Sequence, residues 1–213
     1  MEISTVIWDW NGTLLDDLHL SVRIINQLLE KRSLPALSVD RYREVFTFPV
    51  KDYYKEIGFD FEQEPFEIPA REYIDIYNRD VSTCGLQDGA EDVLQRLRSN
   101  NVQQLILSAM EQNPLEENVK QNGILSFFET IKGLDNHYAA SKLQNGQQLL
   151  KQAAISPQEV LLIGDTIHDF EVAEAIGCHC LLVANGHQSH ERLASTGCEV
   201  INALSDLSFN RFS

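Results

Sequence analysis

Apolar and polar positions along the chain follow two regimes. Near the N-terminus, Val6, Ile7 and Trp8 form a short apolar run rich in strand formers, broken at Asp9 and followed by the turn signal Asn11-Gly12. Asp16 and Asp17 then suit the start of a helix near Leu18, whose Leu18, Val22, Ile25 and Leu29 fall on one face before Ser33-Leu34-Pro35 stops it. Shorter helical stretches are predicted over 40–46 and 50–57, the second closed by Gly58. Residues 62–69 hold two prolines and read as a connector, with Pro69 in the first turn of a helix through Tyr73, Ile74 and Tyr77. No strand pattern occurs between about 17 and 83.

From Gly85 the pattern alternates. Asp88 with Glu91 resembles a capping arrangement for a helix over 90–98, and a strand follows at 103–108. Asn113-Pro114 opens a helix that ends near Asn122-Gly123, and 129–131 reads as a short strand. Ser141 suits the cap of a helix through Leu149 and Leu150, which Gly146 weakens. A strand at 160–164, a helix at 169–176 stopped by Gly177, a strand at 180–184 and an edge strand at Val200-Ile201 complete the series. Such alternation implies an α/β fold, a doubly wound and mostly parallel sheet of Rossmann-like form with helices on both faces. The expected division is a catalytic core of 1–16 and 84–213 with an all-helical cap domain, 17–83, inserted after the first strand. An insert leaving there would overhang the sheet edge that carries Asp9 and act as a lid.

Composition narrows the picture. A 43% hydrophobic content across 213 residues allows a proper core. Seventeen basic against 32 acidic residues, net charge −15, argue against nucleic acid or an anionic membrane surface as partner. A small phosphorylated substrate is still admitted, because it needs only local positive charge or a metal. No signal-like segment opens the chain and no apolar stretch has membrane-spanning length. Cys84, Cys178, Cys180 and Cys198 lack the paired spacing of a zinc site, so free thiols and a reducing cytoplasm are expected. Oligomeric state is not legible.

The candidate chemistry sits at strand ends. Asp9 follows the first strand, Ser108 ends the second, and Asp165 ends a third with Asp169 four residues on. In parallel α/β sheets, ligands gather outside the carboxyl ends of the strands. An aspartate there also reads as a plain helix cap, but three such ends together favour a metal or phosphate site. This ordered set, Asp9-Trp10-Asn11-Gly12-Thr13, then Ser108, then Gly164-Asp165-Thr166-Ile167-His168-Asp169, resembles the haloacid dehalogenase-like superfamily. Within it, the chain is similar to the phosphoglycolate phosphatase-like group with a helical cap. The resemblance implies that Asp9 is the nucleophile, forming an aspartyl-phosphate. It implies that Asp9, Asp165 and the Asn11 carbonyl hold Mg²⁺, with Asp169 as a further ligand. Ser108, Ala109 and Lys142 would bind the phosphoryl group. Lys142 best matches the lysine motif, although Leu143 stands where a proline often follows, and Lys132 is the fallback.

Asn11 departs from the pattern, since most phosphatases of this superfamily have an acid/base aspartate two residues after the nucleophile. An amide cannot shuttle a proton, and positioned acid–base catalysis is worth about 10²–10⁴-fold. Three readings stand. One is a phosphatase of a small phosphorylated metabolite adapted to its amide, acting on activated phosphates or using a donor such as His19. Another is phosphonoacetaldehyde hydrolase-like C–P cleavage through a Schiff base on Lys51. The last is a catalytically weak protein that binds Mg²⁺ and phosphate. Arg43, Lys51 and Lys55 are candidate contacts for a substrate anion.

Overall fold

The computed structural model describes residues 3–134 and 142–212, the backbone alone at Arg211. Six strands form one sheet in the order β3-β2-β1-β4-β5-β6: β1 Thr5–Trp8, β2 Gln103–Glu111, β3 Thr130–Leu134, β4 Val160–Gly164, β5 His179–Val183 and β6 Val200–Ile201. Every pairing is parallel, with Ile7 opposite Leu105 on one side and Leu162 on the other. Because side chains alternate along a strand, the central strands feed two apolar layers. Ile7, Leu105, Leu107 and Leu162 pack with Leu149 and Leu150 of α7 (Lys142–Ala153) and Val172 and Ala173 of α8 (Ile167–Ile176). Trp8, Ile106, Leu161 and Ile163 share the other layer with Leu94 and Leu97 of α5 (Ala90–Ser99) and Leu115 and Val119 of α6 (Gln112–Gln121). The chain reverses its direction of growth between β1 and β4, which opens a crevice at their carboxyl ends.

Four helices lie between β1 and α5: α1 Leu18–Lys31, α2 Val39–Val45, α3 Val50–Glu56 and α4 Glu67–Asp80. Their interior is aromatic. Tyr42 stacks on Phe46 with centroids 5.2 Å apart, and Tyr53 meets both rings edge-on. Ile25, Leu29, Tyr42 and Tyr77 belong to the same continuous apolar cluster as Trp8 and Ile163, so the insert and the sheet share a core. A short α9, His190–Ala194, follows β5.

Several boundaries differ from expectation for local reasons. β2 continues past Ser108 to Glu111, with a register shift against β3 between Leu107 and Glu111. The expected Asp88–Glu91 cap does not form; Gly89 precedes α5 in a left-handed conformation, φ 77°, which glycine adopts at no steric cost. α4 and α6 begin two residues ahead of Pro69 and Pro114, so each proline still lies in a first turn, where the missing N–H costs nothing. α8 starts at Ile167 because Asp169 reaches back to Thr166, accepting from its N–H at 3.0 Å and its hydroxyl at 2.6 Å. The Ser141 cap lies outside the described residues.

Candidate active site

Asp9 leaves the end of β1 into the crevice, its N–H bound to Ile163 O at 2.9 Å, and its side chain is buried. Asp165 follows β4 directly, and Asp169 stands in the first turn of α8. One ligand oxygen from each of these three carboxylates lies within 4.8 Å of the others. Lys142, at the start of α7, bonds Asp9 Oδ1 and reaches Asp169 Oδ1 at 2.5 Å. Thr13 Oγ1 stands 3.3 Å from Asp9 Oδ2 and 3.1 Å from Asp165 Oδ1, sharing one proton between two acceptors.

Backbone glycines press against this centre. A side chain on Gly12, φ 73°, would place its Cβ 2.3 Å from Asp165 Oδ2, and one on Gly186 would place it at 2.1 Å. Only glycine fits either position.

Burial, opposed by Lys142 and reinforced by Asp169 and Asp165, raises the Asp9 pKa well above the usual carboxylate range. Burial also raises Asp165, with Asp169 and Asp17 adding to the effect against His187. Asp169 moves the other way, since Lys142 and Thr166 outweigh its burial. Three buried carboxylates therefore face one buried ammonium, a surplus of negative charge. An all-oxygen donor set with that surplus suits a hard divalent cation. The residues fit a metal site on charge and donor chemistry.

A second constellation adjoins the first. Asp17 occupies the position before α1 but caps nothing with its side chain, which turns inward instead. It accepts from Gly12 N–H at 2.8 Å, Asn11 Nδ2 at 3.1 Å, Tyr77 Oη at 2.6 Å and His187 Nε2 at 3.2 Å. Asn11 Nδ2 also donates to Tyr77 Oη at 2.6 Å, and His187 Nδ1 lies 3.0 Å from Tyr42 Oη. Burial alone would lower the His187 pKa; the Asp17 charge and hydrogen bond, aided by Asp165 and Asp9, raise it to about 9. Asp17 is correspondingly held low against its burial, first by His187 and then by the Tyr77 and Asn11 bonds. The two form a buried ion pair. The backbone N–H of His187 ties this pair to the first constellation by donating to Asp165 Oδ2 at 2.5 Å.

Both constellations border one cavity of about 830 Å³ between the helical insert and the sheet, whose lining includes Asp9, Asn11, Ala109, Lys142, Asp165 and Asp169. Ser108 does not line it: the residue is fully buried, its Oγ accepting from Met110 N–H at 3.0 Å. Other candidates stand elsewhere. His19 is exposed on α1 and Lys132 lies on β3; neither lines the cavity. Lys51 is exposed, its ammonium over the rings of Phe61 and Phe66 at 5.7 and 5.9 Å, also off the cavity. Arg43 is no substrate contact here, since its guanidinium donates to Gly186 O and Asn185 O at 2.9 Å each. Lys55 stands 3.7 Å from Asp52 on the surface.

Sequence reasoning missed Asp17, Tyr42, Tyr77 and His187. Asp17 read as an ordinary helix cap. His187 carried a usable signal, since it closely follows the end of β5 on the same sheet edge as Asp9 and Asp165.

Comparison with known proteins gives one family. A sequence profile of the haloacid dehalogenase-like hydrolases matches residues 6–183. The chain is 25% identical over 193 residues to N-acetylmuramic acid 6-phosphate phosphatase of Pseudomonas putida, covering 88% of this chain and 85% of that one. It is 23% identical over 197 residues to phosphoglycolate phosphatase of Synechococcus elongatus, covering 91% and 89%. Among solved structures, a haloacid dehalogenase-like family hydrolase from Streptococcus pneumoniae superposes with a TM-score of 0.80 at 20% identity over 93% of each chain.

Proposed function

The chain belongs to the haloacid dehalogenase-like hydrolases, and we propose that within this family it is a Mg²⁺-dependent phosphatase of a small phosphorylated molecule. The observation that carries this is Asp9, a buried carboxylate at the cavity floor with Lys142 on one oxygen and Asp165 and Asp169 beside it. Residues 17–83 serve as the cap over that floor.

In this reading an Asp9 oxygen attacks phosphorus, the new P–O bond forms as the ester P–O bond breaks, and the leaving group departs with the bonding electron pair. Water then attacks the aspartyl-phosphate, returning the Asp9 carboxylate and releasing phosphate. Lys142 holds the attacking carboxylate and balances charge on the phosphoryl oxygens. Mg²⁺, held by Asp9, Asp165, the Asn11 carbonyl and Asp169, would supply the positive charge that lets two anions approach. Asn11 fixes the turn through its bonds to Asp17 and Tyr77 and, as an amide, cannot shuttle a proton. Leaving groups that depart without protonation are accordingly favoured. Among the described residues Lys142 is the only lysine lining the cavity, so nothing in the structure favours Schiff-base chemistry on Lys51.

Phosphate release from acetyl phosphate and an aryl phosphate, measured with and without Mg²⁺, tests this reading. The expected result is Mg²⁺-dependent turnover that disappears in Asp9→Asn. Turnover that survives Asp9→Asn would overturn it.

A further inference from the structure

The cavity is far larger than a phosphate and a two-carbon acid require. Its volume of about 830 Å³ lies within the range of roughly 300–1,000 Å³ that holds drug-sized ligands. A phosphoryl group beside Asp9 would take up only the floor of this cavity. Much of the remaining wall is aromatic and aliphatic, including Phe46, Phe48, Tyr53, Tyr54, Phe66 and Ile74.

Positive charge is scarce on those walls. Lys142 is engaged with Asp9 and Asp169, His187 with Asp17, and His168, which also lines the cavity, stands 3.4 Å from Glu171 Oε2. Arg71 lines the cavity from an exposed position on α4, and the same stretch of lining includes Glu67 and Asp75. Those two acids stand four residues before and after Arg71 on the same helix, so this stretch of wall holds two acidic groups to one basic group. Other basic groups of the insert are turned elsewhere: Arg32 to Glu64 and Glu72, Arg43 to backbone carbonyls, Lys51 to two aromatic rings. A second anionic group on the substrate would therefore be desolvated without a buried counter-charge, which is strongly unfavourable.

One polar atom within the wall has no partner. Tyr53 Oη is buried and makes no hydrogen bond among the described residues. That oxygen has essentially no accessible surface, so Tyr53 offers a bound molecule its ring and no polar contact.

We infer that the substrate is a phosphate monoester whose leaving group is a bulky, uncharged and largely apolar or aromatic body, lodged between the helical insert and the sheet. The inference rests on the phosphatase reading and narrows it, setting this protein apart from enzymes of small dianionic or bisphosphorylated substrates.

The test is calorimetric titration of the whole protein in Mg²⁺ with two non-hydrolysable ligands, benzylphosphonate and phosphonoacetate. Binding removes any contribution from leaving-group reactivity. Benzylphosphonate is expected to bind at least about tenfold tighter, the scale of discrimination that a small apolar group gains in a fitted pocket. Ile74→Arg, which adds a cation to the wall, should reverse the order. Equal or tighter binding of phosphonoacetate by the wild type would overturn the inference, as would failure of benzylphosphonate to bind. Inorganic phosphate binding and Asp9-dependent turnover of acetyl phosphate report separately on the phosphatase reading. If Ile74→Arg does not fold by circular dichroism, the wild-type comparison alone decides.

Discussion

Asn11 and Asp17 depend on each other. The amide donates to the carboxylate at 3.1 Å, and both share Tyr77 Oη at 2.6 Å. In sequence, Asn11 stands where the family resemblance implies an acid; in space, it is the neutral donor that lets buried Asp17 stand beside the turn after Asp9. Restoring an aspartate at 11 would set two carboxylates against each other and remove a donor from Asp17. Asn11→Asp is therefore expected to lower stability by about 1–3 kcal/mol in urea denaturation, the cost of an unsatisfied buried polar group. Exchanging the pair, Asn11→Asp with Asp17→Asn, keeps one donor and one acceptor and should recover most of the loss. A single variant as stable as wild type would contradict this account.

Between elements, the end of α2 is clamped to the segment between β5 and α9. The last carbonyls of a helix have no intrahelical partner. Here Arg192 Nη1 donates to Arg43 O at 2.9 Å and Phe46 O at 2.7 Å, and Gln188 Nε2 donates to Phe46 O at 2.9 Å. Arg43 answers in the opposite direction, to Gly186 O and Asn185 O. The clamp places Tyr42 against His187 and so holds the insert over the sheet edge that carries Asp9 and Asp165. Arg192→Ala should cost about 1–3 kcal/mol and speed tryptic cleavage within 17–83. Unchanged urea midpoint and cleavage rate would show that the clamp contributes nothing.

For the molecule as a whole, the decisive quantity is the negative charge gathered at one sheet edge. The chain carries net −15, and Asp9, Asp165 and Asp169 are all buried together. A ligand that binds only the folded state stabilises it by mass action, about 2.7 kcal/mol at a hundred times its Kd. Mg²⁺ should therefore raise the melting temperature of the wild type, with a concentration dependence that yields the Kd. Asp165→Asn should abolish that dependence while leaving a cooperative transition. A Mg²⁺ response that persists unchanged in Asp165→Asn would remove this residue from the metal site. At this scale the described residues also include no helix long and apolar enough to cross a membrane.

Periodicity and punctuation in the sequence determined the α/β alternation, the helical insert and the strand ends that carry Asp9 and Asp165, because these are properties of neighbouring residues. Val6-Ile7-Trp8 and the 160–164 run are continuous and apolar since both faces of a parallel sheet are covered. Their terminal aspartates were legible because such a sheet delivers chemistry to its carboxyl edge. The course of β2 past Ser108 depended on pairing with β3, and the start of α8 on Asp169 reaching back to Thr166. The partners of Asp17 needed the complete fold. His187 lies 170 residues from Asp17 and 145 from Tyr42, and only the packing of the insert onto the sheet closes those distances. The same packing turned Arg43 from a candidate anion contact into a clamp and left Lys51 and His19 outside the cavity. Local pattern records which face of an element is apolar; which polar groups meet across elements is decided by tertiary contacts, where burial makes each unpaired group costly.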